Sequence, residues 1–172
     1  EGSLNVAKII LQGTSTESWT IRNAVLSDCE LLWSLANDPE VRINAFNKDF
    51  INWKDHRSWF NSKLEDSSTI ILVVESETGP VGQVRFEGLK SKKEISYSLA
   101  RQHRGYNLGK KFLSMAINFL NNKEIDFIFG KVKEDNISSI KVFRKLGFIE
   151  KDQEGVGYKY FSKKLKHISK EY

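Results

Sequence analysis

The stretch that decides the fold is Arg104-Gly105-Tyr106-Asn107-Leu108-Gly109-Lys110, a glycine-containing loop that opens directly into a helical pattern. The first backbone amides of a helix have no partner within the helix, and the helix dipole places positive potential at that end. Such a terminus binds phosphate oxygens, and glycines let those oxygens approach the backbone closely. Arg104 and Lys110 add positive charge. Taken alone, the stretch also fits a plain structural turn.

The segments before this loop have the pattern of an antiparallel meander. Residues 69–75 and 81–87 are rich in β-branched side chains, and Glu77-Thr78-Gly79-Pro80 between them has turn composition. From Glu94 to Leu99, polar and apolar residues alternate, as in a half-buried strand. We therefore predict three consecutive antiparallel strands, the last of which leads into the loop.

The N-terminal part predicts a strand followed by two helices. Residues 20–25 have strand composition, and Ser27-Asp28-Cys29-Glu30 has the form of a capping box that starts a helix ending at Ala36. Asn37-Asp38-Pro39 ends that helix, because proline disfavours α geometry in the residue before it. A second helix is predicted from Trp53 to Leu64, with Trp53, His56, Phe60 and Leu64 on one stripe.

The C-terminal part alternates helices and strands. Apolar residues recur at helical spacing over 109–120, and 127–132 reads as a strand. A helix over 136–146 ends at Gly147, which suits a left-handed C-cap, and 158–165 reads as a last strand. The order of elements predicts an α/β (α+β) domain in which helices flank one sheet.

A second motif strengthens the interpretation of the loop. Asn136-Ile137-Ser138-Ser139-Ile140-Lys141-Val142-Phe143-Arg144-Lys145-Leu146-Gly147-Phe148 resembles the segment Asn-x-x-Ala/Ser-x-x-x-Tyr/Phe-x-Lys-x-Gly-Phe of the GNAT superfamily of acetyltransferases. The loop resembles that superfamily's pyrophosphate loop, Arg/Gln-x-x-Gly-x-Gly/Ala, at Arg104 and Gly109, with Asn107 in place of the first glycine. Asparagine tolerates positive φ better than other non-glycine residues, so this departure is mild.

The resemblance implies a fold, a cofactor and a set of contacts. The GNAT fold has a central, twisted, mixed and mostly antiparallel sheet flanked by helices, with a splayed strand pair at the acetyl-CoA site. Leu99 would line that gap and offer a backbone amide to the developing oxyanion. Residues 104–110 would hold the pyrophosphate, Asn136 the pantetheine arm, Ser139 and Phe143 would face the cofactor, and Lys145 would meet phosphate.

The sequence defines the general base and the general acid of the reaction less closely than the cofactor contacts. Candidate bases for the attacking amine are Glu87, Glu94 and His56, whose ordinary pKa lies near neutrality. The superfamily frequently has a tyrosine at the position of Phe143 to protonate the leaving thiolate, and phenylalanine cannot donate a proton. The proton then comes from water, from the product amine or from another hydroxyl. The hydroxyls considered are those of Ser139, Tyr158 and Tyr160.

The acceptor half resembles the nucleotide-aminosugar N-acetyltransferases of pseudaminic acid biosynthesis, which acetylate the 4-amino group of a UDP-linked 4-amino-4,6-dideoxy sugar. Arg42 and Arg85 can pair with a diphosphate, and Phe46, Trp59 or Phe60 can stack on a uracil or sugar face. Acetylation of a protein N-terminus or another small amine, and a non-catalytic acyl-CoA-binding module, remain alternatives. The resemblance rests on Asn37-Asp38-Pro39-Glu40-Val41-Arg42, Asn44-Ala45-Phe46, Trp53, His56, Trp59-Phe60 and Gln83-Val84-Arg85-Phe86.

Composition limits the classes of partner, metal site and cellular location that fit this chain. The 172 residues suit one domain over 19–172, and the formal charge of +5 favours an anionic partner, although the basic residues are too spread out to favour nucleic acid. One cysteine, Cys29, excludes an internal disulfide, and no metal site is expected. Without an apolar leader or membrane-spanning run, we expect a cytoplasmic protein.

The first residues suggest a longer polypeptide. Residues 1–18 read as a helix and linker left from an upstream segment, and 1–8 resemble the end of the nucleotide-sugar hydrolase of the same pathway. We therefore expect a fused upstream domain. A homodimer is compatible with the sequence, which contains no readable self-complementary surface.

Overall fold

The computed structural model describes residues 18–121, 123–151 and 157–165. These residues form one seven-stranded sheet with helices on both faces. The strands are β1 (Trp19–Asn23), β2 (Ile70–Ser76), β3 (Gly79–Leu89), β4 (Lys92–Leu99), β5 (Phe127–Lys133), β6 (Ile149–Lys151) and β7 (Tyr158–Lys164). The helices are α1 (Cys29–Ala36), α2 (Pro39–Asn44), α3 (Trp53–Glu65), α4 (Gly109–Phe119) and α5 (Ile137–Lys145), with 3₁₀ turns at Leu26–Asp28 and Arg101–His103.

The sheet order is β1-β2-β3-β4-β5-β7-β6, and β4 and β5 are the parallel pair between two antiparallel blocks. Their pairing covers Lys92–Glu94 against Phe127–Phe129 only. Beyond these residues β4 continues to Leu99 paired with β3, while β5 continues to Lys133 paired with β7. The two strands therefore splay apart, as the fold class predicts.

Each face of the sheet is covered by different helices. The larger core joins Leu72, Val84 and Phe86 of the sheet to the apolar sides of α4 and α5. A smaller core on the other face joins Ile71 and Val73 to α1 and α3. We call the first the α4/α5 face and the second the α1/α3 face. Alternation along the strands assigns Gln83, Arg85 and Glu87 to the α1/α3 face, beside the strand partners Ser96 and Glu94.

Two details of the N-terminal prediction are wrong. The start of α1 is not stabilised by a Ser27/Glu30 capping box: the Asp28 carboxylate accepts from Val25 N–H at 2.7 Å and is paired with Arg22. The chain therefore turns into 3₁₀ geometry before α1. The predicted stripe of α3 is also incomplete, because His56 and Phe60 are buried whereas Trp53 and Leu64 are exposed.

Two short elements lie where no regular structure was predicted. Pro39 ends α1 and also occupies the first turn of α2, where its missing N–H costs nothing, and Asp38 caps this helix by accepting from the Glu40 and Val41 amides. Strand β6 pairs with β7 after Gly147, which has the predicted left-handed conformation at φ 73°. The predicted helix within 1–18 lies outside the described residues. None of the helices in the described ranges is long and apolar enough to cross a membrane.

Candidate active site

The gap between β4 and β5 exposes main-chain groups of β4. The Ala100 N–H donates to Val81 O at 2.8 Å, so Ala100 faces β3. Because peptide groups alternate along a strand, the N–H and C=O of Leu99 point the other way, toward the gap. The Leu99 carbonyl accepts from Arg104 Nε at 2.8 Å. The Leu99 amide therefore has the orientation that an oxyanion donor requires.

The loop after this strand is accessible and has the predicted backbone conformation. Gly105, Tyr106 and Asn107 are exposed, and Gly105 and Asn107 have positive φ of 80° and 57°. Asn107 is thus in the left-handed region in place of the glycine that is usual there. Within the described chain, no side chain caps the N-terminus of α4, which starts after Leu108. Its first amides can therefore bind an anion.

Arg104 is engaged within the protein. Its Nη1 contacts Asp38 Oδ1 at 2.7 Å and Glu40 Oε2 at 3.2 Å, while its Nε holds the Leu99 carbonyl. Burial is the largest single influence and would raise the pKa of Asp38, but the hydrogen bond and charge of Arg104, together with the Val41 and Glu40 amides, lower it overall. Arg104 therefore joins the cofactor loop (residues 104–110) to α2. The sequence does not predict this link, because Asp38-Pro39 indicates only the end of a helix.

The second motif lies beside the gap on the α4/α5 face. Asn136 caps α5 by accepting the Ser139 N–H at 3.1 Å, and Ser139 Oγ lies 2.9 Å from the phenol oxygen of Tyr97. Phe143 is buried and packs on Phe148 and Phe161, with ring centroids 4.7 and 5.1 Å apart. Its ring therefore supports the core under the gap.

Helices α4 and α5 meet where the cofactor loop ends. A Cβ built on Gly109 would lie 2.7 Å from Val142 Cγ2, so glycine lets the N-terminus of α4 contact α5. Lys110 is exposed in the first turn of α4, and Lys145 is exposed one turn beyond Val142. Lys110 thus lies in the turn that carries the uncapped amides, and Lys145 lies one turn from the residue of α5 that contacts Gly109.

The α1/α3 face carries a charged cluster on β3. The Arg85 guanidinium carbon lies 4.9 Å from the centre of the Trp59 ring, and Arg85 is ion-paired with Glu87. Glu87 also pairs with Lys63 at 2.8 Å. Burial would raise the pKa of Glu87, but Lys63 and Arg85 together hold it below its ordinary value. Glu87 is therefore ionised and a weak proton acceptor, and Glu94 is its cross-strand neighbour.

Arg42 and Phe46 lie in another part of the same face. Arg42 Nη1 donates to the carbonyls of Asn47 and Asp49, and so organises the chain after α2. Phe46 is exposed and meets Tyr158 edge to face at 5.6 Å. This segment therefore reaches the start of β7 and the end of β5, where Lys133 Nζ donates to Ile43 O at 3.2 Å.

His56 and Phe60 lie in the smaller core. The His56 ring stacks on Phe60 with centroids 6.0 Å apart, and its Nε2 donates to the Cys29 carbonyl at 3.0 Å. Burial lowers the pKa of His56, and nearby Arg85 lowers it further, although the Cys29 carbonyl opposes the shift. The imidazole is neutral at pH 7, and the structure does not bring it to the gap.

This burial predicts a pH effect on stability. Because the folded-state pKa of His56 is below its unfolded value, the unfolded chain binds the proton first as pH falls, and stability drops below the ordinary pKa near 6.5. One proton contributes a slope of at most about 1.4 kcal/mol per pH unit. We expect His56→Gln, which keeps a donor for Cys29 O, to remove that contribution. Denaturant unfolding at pH 5 to 7.5 measures it; equal slopes in both proteins would contradict the assignment.

Comparisons with known proteins agree with this geometry. Residues 19–149 match the family model described as an acetyltransferase (GNAT) domain. An uncharacterized protein of Methanocaldococcus jannaschii is 30% identical over 132 residues, which cover 74% of this chain and 27% of the relative. The chain thus spans about a quarter of that relative's length.

Two solved structures show the same fold. Spermidine N-acetyltransferase from Vibrio cholerae, in complex with CoA and spermine, has a TM-score of 0.76 at 16% identity and covers 85% of this chain and 95% of its own. The protein yncA from Salmonella typhimurium, solved with its cofactor acetyl-CoA, has a TM-score of 0.72 at 21% identity, with 88% and 96% covered.

The chain belongs to the GNAT acetyltransferase family. Members of this family use acetyl-CoA as the acetyl donor, and the domain is an acetyl-CoA-dependent N-acetyltransferase. The gap, the outward Leu99 amide and the uncapped α4 terminus fit this cofactor. Among the described residues, no group of three or more His, Cys, Asp or Glu could hold a metal ion.

Proposed function

We propose that this domain transfers the acetyl group to the 4-amino group of a UDP-linked 4-amino-4,6-dideoxy sugar. The observation that carries the proposal is the Arg85 guanidinium held over Trp59 and braced by Glu87 on the α1/α3 face. A guanidinium suits a diphosphate, because its planar donors match the phosphate oxygens. A ring beside it suits a base or sugar face. Arg42 and Phe46 would extend this surface, and Phe60 would support it from the core.

The cofactor contacts divide between the gap and the two helices. Acetyl-CoA supplies the acetyl group as a thioester. Residues 104–110 would hold the pyrophosphate through the amides at the start of α4, with Lys110 and Lys145 supplying charge. Asn136 and Ser139 would border the pantetheine arm beside Phe143. The Leu99 amide would stabilise the oxyanion, a contribution of about 3 kcal/mol for one donor.

Two residues are proposed for proton removal from the amine. Glu87 is the better placed, because its carboxylate lies on the α1/α3 face, where the acceptor would bind, and is ionised. Because the pKa of Glu87 is lowered, its carboxylate is too weak a base to take the proton directly. It would instead orient the ammonium group of the acceptor while the proton passes to water. His56 would act only if the acceptor displaced the surrounding rings, since its Nε2 is bonded to Cys29 O.

A polyamine or another small amine is the second candidate. Glu87 and Glu94 are cross-strand neighbours on the α1/α3 face, and two carboxylates attract a polycation. A protein N-terminus belongs to the same group of acceptors, and a non-catalytic acyl-CoA-binding module would bind the cofactor without turnover. A homodimer, a fused upstream domain and a cytoplasmic location remain predictions.

Binding of UDP separates these acceptor classes without requiring turnover. Arg85→Ala removes one guanidinium–diphosphate pair, and we expect the Kd for UDP to rise at least about tenfold. The matched control is Arg57→Ala, which removes an exposed guanidinium from the same helix as Trp59. We expect calorimetry to show that Arg57→Ala binds UDP with a Kd within about twofold of that of the unaltered protein. The Kd for acetyl-CoA should likewise stay within about twofold in both variants. Absence of UDP binding by the unaltered protein, or no change in Arg85→Ala, would contradict the proposal.

A further inference from the structure

A pair of hydroxyl groups joins β4 to α5 beside the gap. Tyr97 is on β4 and Ser139 is in the first turn of α5, and their oxygens are 2.9 Å apart. Tyr97 lies beyond Glu94, the last β4 residue paired with β5, so its strand is already splayed there. Tyr97 is two residues before Leu99, whose backbone amide points into the gap.

The surroundings of the phenol keep it in the proton-donating form. The ring lies 6.2 Å from that of Phe112 and 6.3 Å from that of Phe143. This burial raises the pKa of Tyr97, and the bond with Ser139 opposes the shift without cancelling it. Tyr97 therefore carries its proton at neutral pH and above.

The reaction requires a proton at this place. When the amine nitrogen forms its bond to the carbonyl carbon, the C–S bond breaks and its electron pair stays on sulfur. Transfer of a proton to the sulfur as it departs neutralises the negative charge that develops on it, and so assists the step. Phe143 has no proton to give, and its ring lies beside the Tyr97 ring. Of the two hydroxyls of the pair, the Tyr97 phenol is the stronger acid, and so the better donor.

We propose that Tyr97 Oη donates the proton to the departing sulfur, and that Ser139 Oγ orients the phenol by donating to it. Ser139 then leaves the phenolic hydrogen free to point into the gap. The tyrosinate regains a proton from the acetylated nitrogen through water, so that one amine proton ends on the thiol of CoA. This proposal rests on acetyl transfer and is independent of which amine is the acceptor.

The other tyrosines considered are placed differently. Tyr160 stacks on Phe129 with centroids 5.5 Å apart, and alternation along β7 puts it opposite Phe161 of the larger core. Tyr158 shares that face and meets Phe46. Both therefore lie on the face opposite α5, whereas Tyr97 lies under α5.

The test compares Tyr97→Phe with Tyr160→Phe, each of which removes one phenol oxygen. With an accepted amine, we expect Tyr97→Phe to lower kcat about a hundredfold and to remove the alkaline limb of the pH profile. The KM for acetyl-CoA should stay within about threefold, since a proton donor acts in the transition state. Tyr160→Phe should stay within about twofold in both constants. A Tyr97→Phe enzyme with unchanged kcat would overturn the proposal.

A binding measurement gives an answer even if no acceptor is found. A phenol that reaches the sulfur should make the protein prefer CoA over desulfo-CoA by about fivefold, the value of one hydrogen bond. We expect calorimetry to show this preference in the unaltered protein and in Tyr160→Phe, and its loss in Tyr97→Phe. Retention of the preference in Tyr97→Phe would refute the proposal. If Tyr97→Phe does not fold, Ser139→Ala replaces it, with a reduced preference expected and an unchanged one counting against the assignment.

Discussion

We expect Arg104→Ala to lower kcat/KM for acetyl-CoA about a hundredfold and the free energy of unfolding by about 2–3 kcal/mol. The substitution removes the donor that holds the Leu99 carbonyl and leaves the Asp38 carboxylate without its cationic partner. The Leu99 peptide then loses its fixed orientation toward the gap. Steady-state kinetics with varied acetyl-CoA and denaturant unfolding measure the two effects.

Arg104→Lys separates geometry from charge. Lysine keeps the positive charge but lacks the planar fork that binds Leu99 O and Asp38 together. We expect kcat/KM for acetyl-CoA to be less than about tenfold higher in Arg104→Lys than in Arg104→Ala, because the position requires the planar guanidinium. Full recovery would mean that Arg104 acts on the pyrophosphate as a charge, as the loop pattern alone predicts, and that its contacts within the protein are unimportant.

Gly82→Ala should lower the free energy of unfolding by about 3 kcal/mol. A Cβ at this position of β3 would meet the Ser98 carbonyl oxygen and lie 3.1 Å from Leu99 Cα and 3.0 Å from the Phe112 ring. Two of these neighbours are main-chain atoms of β4, which cannot move without shifting the strand toward the gap. The same variant should therefore raise the Kd for acetyl-CoA about tenfold.

A second substitution tests that explanation. Gly82→Ala with Phe112→Leu removes the ring contact but not the contacts with the β4 backbone, so it should restore less than about 1 kcal/mol. Chemical denaturation of the single and double variants supplies the comparison. Full restoration by the double variant would show that the ring, and not the backbone of β4, limits the space at Gly82.

The sequence predicts the fold well where local patterns decide it. The hairpin, the alternation through Leu99, the apolar periodicity from Gly109 and the left-handed Gly147 all appear in the structure. Each of these signals depends on a few neighbouring residues. By contrast, α2 and β6 are too short to have a period of their own. Helix α2 exists because Asp38 caps it and Arg104, 66 positions away, holds that cap.

The site shows the same division between local and distant interactions. The cofactor loop and the cap of α5 follow from local motifs. The pairing of Tyr97 with Ser139 could not be predicted, because alternation indicates only that Tyr97 faces the core and 42 positions separate the two residues. The helical spacing of His56 and Phe60 is a local signal, whereas the Cys29 carbonyl becomes the partner of His56 only through the packing of α3 on α1.

The measurement that tests the central proposal most directly is CoA thiol release from acetyl-CoA with a panel of acceptors. The panel contains UDP-4-amino-4,6-dideoxy sugars, spermidine and peptides with free N-termini. We expect turnover with a UDP-aminosugar, and slower turnover when Arg85 is replaced by alanine. Turnover with spermidine or peptides alone would contradict the proposed acceptor, and acetyl-CoA binding without turnover on the full panel would favour a binding module.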